Sequence, residues 1–341
     1  MKNILNIISL FVITTNTLAQ HAPFRLAFGS CARQSHPLPV FSTIAECNPD
    51  LFLFLGDNIY GDTRNMKVLR SKYEKLARNP NYMKMSAQVP VIATWDDHDY
   101  GWNDAGKNYP FKKESKEIFL EFFKEPEHSE RRKREGIYTS YRYETGGKII
   151  QIILLDNRTF RDNLRWFTGF LKKGEKFPYR PDYVPHKDTS KTLLGIAQWQ
   201  WLEEQLKQPA HWRIIGSGSQ FGIEYNGYEA WANFPHEQQR FINLIKKTRA
   251  ERVLFLTGDV HYAEISKIHP PDMYPLYDIT SSGLSSTWLF ATPNKNRIEG
   301  PVMDNNFGLL HIYPDSIVAE IRDVQNTVRI RRTIQAHELT F

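Results

Sequence analysis

Six short apolar runs in this chain end in the same way, in a polar turn or loop: "FRLAFGSC", "LFLFLGDN", "VPVIATWDDHD", "KIIQIILLDNR", "WRIIGSGSQF" and "RVLFLTGDVH". Their length and their Val, Ile, Leu and Phe content predict buried β-strands. Amphipathic stretches separate them. "MKVLRSKYEKLARN" places Leu69, Tyr73 and Leu76 on one face, and "KKESKEIFLEFF", "IAQWQWLEEQLKQ" and "HEQQRFINLIKKTRA" carry apolar stripes beside charged ones. That is the pattern of helices packed on a sheet. Strands alternating with helices predict an α/β fold with largely buried sheets. Near the C-terminus, "FGLLHIYP", "SIVAEIRD" and "TVRIRRTI" follow one another closely with turn residues between them. They predict an antiparallel meander that completes a sheet.

The polar turns carry the chemistry. In α/β sheets, ligands sit at the C-terminal ends of the strands. There the sequence places Cys31; Asp57 and Tyr60 in "GDNIYGD"; Asp97, His98 and Asp99 in "WDDHDYG"; Asp156, Asn157 and Arg158 in "LDNR"; Gln220 in "GSGSQF"; and Asp259 and His261 in "GDVHYAE". A single Asp at a strand end is ordinarily a turn former or a helix N-cap. Repeated sites rich in Asp and His need another cause. Crowded carboxylates raise one another's pKa, and burial raises them further. A bound cation reverses both effects, so a metal centre is predicted. Carboxylates suit hard divalent cations. A phenolate and a thiolate on one ion suit a strongly polarising metal such as ferric iron.

The chain has 341 residues, a formal charge of +6 and 41% hydrophobic content, as expected of a globular protein with a sizeable core. The charge excess is mild and fits an ordinary surface or a weak attraction for anionic substrates. The Arg-rich "ERRKRE" is flanked by acids and reads as a solvated loop, so no specific nucleic-acid partner is expected. Residues 1–19 read as a signal peptide with a short apolar run, and residues 20–341 as a single catalytic domain. Export to the periplasm or the medium follows, with no stable membrane anchor. Two cysteines in an exported protein would ordinarily pair. Val40, Ile44 and Cys47 share one helical face in "PLPVFSTIAEC", which turns Cys47 toward the core and argues against a bond to Cys31. Stretches 127–136 and 171–191 read as long loops, the second as a lid over the site or a solvated surface loop.

"GDNIYGD", "WDDHDYG" and "GDVHYAE", preceded by "FGSC" and accompanied in order by "LDNRTFR" and "LLGIAQWQWLEEQL", resemble the motif set of the PhoD-type alkaline phosphatases. These belong to the calcineurin-like metallophosphatases. The resemblance runs from about Phe24 into the C-terminal strands. It implies a four-layer α-β-β-α sandwich of two mixed β-sheets flanked by helices. It also implies a site holding Fe(3+) and Ca(2+), with Zn(2+) or Mn(2+) as alternatives. On the family's pattern Asp57 bridges the cations, Cys31, Tyr60 and His261 complete the iron side, and Asp97 and Asp259 the calcium side. His98 is expected as general acid or donor to the phosphoryl oxygens, Asp99 as its orienting partner, and Arg158 as the phosphate grip, with Arg161 and Arg33 as further candidates. The implied reaction is hydrolysis of small phosphate mono- or diesters by a hydroxide activated on the metals. Three further readings stay open: a nucleotidase, a phosphodiesterase acting on lipids or teichoic-acid-type polymers, and a non-catalytic protein that binds phosphate through its metals. No oligomeric state follows from the sequence.

Overall fold

The computed structural model describes residues 22–169 and 180–341. Its strands are β1 (Phe24–Gly29), β2 (Leu51–Leu55), β3 (Val91–Thr94), β4 (Thr139–Thr145), β5 (Lys148–Leu154), β6 (Arg165–Trp166), β7 (Tyr183–Val184), β8 (Trp212–Ser217), β9 (Val253–Thr257), β10 (Ala263–Ile268), β11 (Leu276–Ser281), β12 (Arg297–Val302), β13 (Asn306–Ile312), β14 (Ser316–Asp323) and β15 (Val328–Gln335). Its α-helices are α1 (Val40–Glu46), α2 (Met66–Ala77), α3 (Pro80–Gln88), α4 (Asp97–Tyr100), α5 (Lys112–Phe122), α6 (Glu130–Lys133), α7 (Gly195–Lys207) and α8 (Pro235–Thr248).

Two sheets hold the molecule together. One has the order β15-β14-β13-β1-β2-β3 and the other β12-β10-β11-β9-β8-β5-β4. The run "LFLFL" of β2 shows why they stack. Leu51, Leu53 and Leu55 enter the apolar layer between the sheets, together with Leu26 and Phe28 of β1 and Ile152, Leu154 and Ile214 of the second sheet. Phe52 and Phe54 point the other way, into a cluster with Phe41, Leu69, Tyr73, Met85 and Phe119 of α1, α2, α3 and α5. A strand buried on both faces has to be apolar throughout. Each such side chain contributes about 1.5–3 kcal/mol by leaving water. On the far side of the second sheet, α7 and α8 supply Trp199, Leu202, Phe241 and Ile245 to the core. The result is four layers, helix, sheet, sheet, helix. The C-terminal meander forms as the sequence predicts: β13, β14 and β15 pair antiparallel, and β13 runs antiparallel to β1.

The functional consequence lies in the parallel pairs. β1, β2 and β3 run parallel, as do β5, β8, β9 and β11. Six of these strands, all but β11, are followed at once by the polar loops that carry the motifs, so both sheets deliver C-terminal ends toward one site.

Two expectations change in detail. Residues 127–136 are more than a solvated loop: they contain α6, and Arg131 is buried, donating to the carbonyls of Ala93 and Ile137. Cys47 caps the C-terminus of α1 half-buried, with its thiol 3.2 Å from Asn326 Oδ1, so it flanks the core rather than entering it. Cys31 and Cys47 are both free thiols. Residues 1–19 and residues 171–179 of the candidate lid lie outside the described residues; β6 and β7, on either side of the latter, pair as a short antiparallel ladder. Among the described residues no helix is long and apolar enough to cross a membrane.

Candidate metal centre

The loops that end the strands are sharply bent. Cys31, Asp57, Asp259 and His261 all have positive φ, at 62°, 50°, 78° and 60°. Side-chain-bearing residues seldom adopt this conformation, and it persists only where the surroundings enforce it. The enforcement here is close packing. A Cβ on Gly56, itself at φ +98°, would lie 2.4 Å from Asp96 Cβ, and one on Gly218 would lie 2.4 Å from Asp96 Oδ1. Loops from opposite sheets thus close on Asp96 from two sides, an approach open only to glycine.

Inside these loops the donor atoms converge. One ligand atom each of Asp57, Asp97 and His98 lies within 4.8 Å of the others, and the same holds for Asp96, Asp97 and Asp259. Asp97 belongs to both groups. The Cys31 thiol stands 3.4 Å from Asp57 Oδ2 and 3.1 Å from Ser282 Oγ. His261 Nδ1 lies 3.0 Å from the Ser286 carbonyl, which fixes it as the donor and leaves Nε2 with its lone pair free to ligate. The Tyr60 backbone is held at both ends by Gln34: its N–H donates to Oε1 at 2.8 Å, and its carbonyl accepts from Nε2 at 3.3 Å. Lys72 donates to the carbonyls of Tyr60 and Gly61. The loops after β1, β2, β3 and β9 thus bring Cys31, Asp57, Tyr60, Asp97, Asp259 and His261 near one another; Asp57, Asp97 and Asp259 belong to the two close donor groups, and Cys31, Tyr60 and His261 stand outside them.

Two observations test whether these residues fit metal ions. First, Asp57 Oδ1, the Tyr60 hydroxyl, Asp96 Oδ2 and Asp97 Oδ1 are buried without a hydrogen-bond partner among the described residues. Polar atoms are rarely left so, and four together call for a ligand. Second, the centre is short of positive charge. Burial pushes Cys31, Asp57 and Tyr60 up from their ordinary pKa values. It also pushes Asp96 up to about 8 despite the attraction of Arg158, and raises Asp259 with help from Asp96 and Glu229. Asp97 is the exception: burial works against its charge, but Arg158, His98 and the Asp104 N–H hold it well below the carboxylate range. Burial lowers His261, keeping it a neutral imidazole. Cations would satisfy the orphaned oxygens and return the raised acids to their charged forms. The donor set fits.

The structure redistributes three catalytic roles. Asp99 does not orient His98. Its Oδ1 accepts from the Asp96 N–H at 2.6 Å and its Oδ2 from Asn58, so it braces the start of α4. The carboxylate on His98 is Asp62, with Oδ1 2.7 Å from Nδ1. Arg158 is fully buried and engaged on two acids: Nε donates to Asp96 Oδ1 at 2.6 Å and Nη1 to Glu229 at 2.8 and 2.9 Å, while Nη2 makes an ion pair with Asp96 but no hydrogen bond. Arg161, also buried, reaches Glu229 at 3.2 Å and the Asp104 carbonyl. Both guanidiniums are buried against the protein's own acids. Arg33 is not: it lies 4.3 Å over the Tyr60 ring, half-buried, and has no carboxylate partner among the described residues. Sequence reasoning missed Asp62 and Glu229. Asp62 stood within "GDNIYGD" but gave no sign of facing His98, and Glu229 lies in "NGYEAW", outside every motif.

Comparison with known proteins bears on this geometry. The family pattern of the PhoD-like phosphatases matches residues 26–300. The chain belongs to the PhoD-like phosphatase family. It is 27% identical to alkaline phosphatase D of Bacillus subtilis (strain 168), over 71% of this chain and 46% of that protein, so it spans about half the length of this relative. A solved structure of PhoD superposes with a TM-score of 0.73 at 19% identity, covering 93% of this chain and 70% of that one. Purple acid phosphatase PPD1 from yellow lupin (Lupinus luteus) seeds does so with a TM-score of 0.61 at 14% identity, covering 93% of this chain and 54% of that one. GAP50, described as the anchor in the inner membrane complex of Plasmodium, has a TM-score of 0.59 at 12% identity, covering 92% and 89%. These structural likenesses carry the PhoD-like fold, in agreement with the four layers seen here.

Proposed function

We propose that this member of the PhoD-like family is a metal-dependent phosphoester hydrolase, exported from the cell, acting on small phosphate mono- or diesters. The observation that carries the reading is the set of unpartnered buried oxygens of Asp57, Tyr60, Asp96 and Asp97, converging beside His98. Cys31, Asp57, Tyr60 and His261 would hold one cation, and Asp97 and Asp259 a second. Thiolate and phenolate favour ferric iron at the first position, and an all-oxygen set favours calcium at the second. Cations bound there supply activation of water and neutralisation of charge on the phosphoryl group.

The chain's own groups do the rest. Asp62 holds His98 by Nδ1, which leaves Nε2 to give its proton to the departing ester oxygen. Arg33 binds a phosphoryl oxygen at the rim through a charge-assisted hydrogen bond. Arg158 works against the burial that raises Asp96 and fixes its carboxylate behind the ligands. Export rests on the reading of residues 1–19 as a signal peptide.

The test is hydrolysis of p-nitrophenyl phosphate and bis(p-nitrophenyl) phosphate by the purified chain, before and after chelation, with elemental analysis of the same samples. Turnover that disappears with the metals and returns with iron and calcium is expected. Full turnover in demonstrably metal-free protein would refute the metal requirement. A metal-loaded protein that binds phosphate without hydrolysing either ester would make it a binding protein.

A further inference from the structure

We propose that Tyr183 and Asp104 are positioning residues for Asp97, a relay that turns one oxygen of that carboxylate to its cation and ties the β6–β7 ladder to the metal centre. The inference rests on the metal-dependent reading above and adds what presents Asp97 to its ion.

Asp97 is the acid that belongs to both donor groups, and its two oxygens are not equivalent. Oδ2 accepts from the Asp104 N–H at 2.7 Å. Oδ1 is buried with no hydrogen-bond partner among the described residues, and Arg158 Nη2 lies 3.9 Å from it, beyond hydrogen-bond reach. A carboxylate with one oxygen fixed by an N–H presents the other, and metal ligands are commonly oriented by such outer hydrogen bonds. The aim of Asp97 therefore depends on where the Asp104 N–H points.

That N–H belongs to a residue that must be held. Asp104 has φ 56°, in the left-handed region, which side-chain-bearing residues keep only where their surroundings enforce it. Three bonds enforce it here. The Asp104 carbonyl accepts from Arg161 Nη2 at 2.5 Å, and its Oδ2 accepts from Asn103 Nδ2 at 2.8 Å and from the Tyr183 hydroxyl at 2.5 Å. Asn103 is the preceding residue and moves with the loop. Arg161 and Tyr183 reach in from 57 and 79 residues away and fix the loop against the rest of the molecule.

Tyr183 is itself a firm anchor. It is buried, with its ring 4.7 Å from that of Trp166 across the β6–β7 ladder. Its N–H donates to the Gly227 carbonyl at 3.0 Å, and its carbonyl accepts from the Tyr225 hydroxyl at 2.7 Å. A buried tyrosine hydroxyl needs a partner wherever it lies. This one has a wider consequence, because its partner's own N–H rests on a metal ligand. The order is Tyr183 hydroxyl, Asp104, Asp97 Oδ2, leaving Oδ1 to the cation. Coupling between two sites is reciprocal, so a cation on Asp97 should also steady β7.

The experiment titrates Ca(2+), and separately Mn(2+), into the chelator-treated full chain by calorimetry. The variants are Tyr183→Phe, Asp104→Gly and the two combined, each with its metal-free Tm measured. Tyr183→Phe removes one oxygen and keeps the ring. It should weaken cation binding about tenfold, the lower end of the loss for an outer partner of a metal ligand. Asp104→Gly accepts a φ of 56° without strain and should lose at least as much. In that background Tyr183→Phe should cost no further affinity, because the hydroxyl acts through Asp104. Iron content should not change, since none of these contacts involves Cys31, Tyr60 or His261. Hydrogen exchange in peptides covering β6 and β7 should slow when Ca(2+) is added to the wild type, and slow less in Tyr183→Phe; equal slowing in both would sever the ladder from the metal centre. A merely structural tyrosine would lower the metal-free Tm and leave cation affinity untouched. Unchanged affinity in Tyr183→Phe, or additive losses in the combined variant, would overturn the relay alone. A wild type that takes up neither cation would overturn it together with the metal-dependent reading.

Discussion

His98 stands with Nδ1 2.7 Å from Asp62, and its ring lies 4.3 Å from that of Tyr60. Burial alone would discharge the imidazole, but the charges of Asp57 and Asp97, with Asp62 beside it, push its pKa up to about 10. Cations on Asp57 and Asp97 would weaken the first two contributions and leave Asp62 as the group that keeps the proton in place. Replacing His98 with Gln should lower kcat by about 10²–10⁴, the usual share of a general acid, with metal content unchanged. Asp62→Asn removes a contribution that raises the His98 pKa. The alkaline limb of its pH–rate profile should therefore move to lower pH, while His98→Gln should abolish that limb. The two arginines separate in the same assays. Arg33→Ala should raise KM about tenfold, as loss of one charge-assisted hydrogen bond does. Arg158→Met should instead show up in denaturant unfolding, at about 3–5 kcal/mol, because it strands Asp96 and Glu229 as buried charges.

At the scale of elements, the site hangs on a helix of four residues, α4, which has too few internal hydrogen bonds to stand alone. Asp99 supplies what is missing by accepting from the Asp96 N–H and from Asn58. Asp99→Ala leaves these buried donors unsatisfied and should cost about 1–3 kcal/mol in stability, with lowered metal occupancy because Asp97 and His98 sit on the same turn. Elemental analysis beside thermal unfolding reads both effects. This also explains what the sequence could reveal. The strands were legible because β2 is buried and apolar throughout, β9 is so up to Thr257, and β5 is apolar from Ile149 to Leu154 except at Gln151. The ligand loops were legible because Gly, Asp and His cluster directly behind those runs. The pairing of polar partners was not. Asp62 meets His98 across 36 residues and Glu229 meets Arg158 across 71, and such contacts depend on how the loops at the ends of neighbouring strands fold against each other. The same limit made Asp99 look like the partner of His98 from adjacency alone, although one turn of helix carries its carboxylate inward to Asn58.

The whole molecule draws the ends of two sheets onto one group of acids, and its stability should depend on what neutralises them. Without metal, Asp96 has a folded-state pKa near 8, well above its ordinary carboxylate value, because burial penalises its charge. Between the unfolded and folded values the native state binds more protons than the unfolded chain. Stability must therefore fall as pH rises through that window. His98, also raised, acts with the same sign: its contribution is complete below the ordinary histidine value and is lost as pH rises toward 10. Asp57 and Asp259, pushed upward by burial, add to the decline. Chelated protein should thus lose thermal stability steadily from pH 5 to pH 9. Metal-loaded protein should not, because cations favour the ionised ligands and bind only the native state. The gap in Tm between the two forms should widen with pH and reach roughly 5 °C or more at pH 9. Parallel curves for the two forms would mean that the acids are neutralised by something other than metal, and the functional reading would go with them.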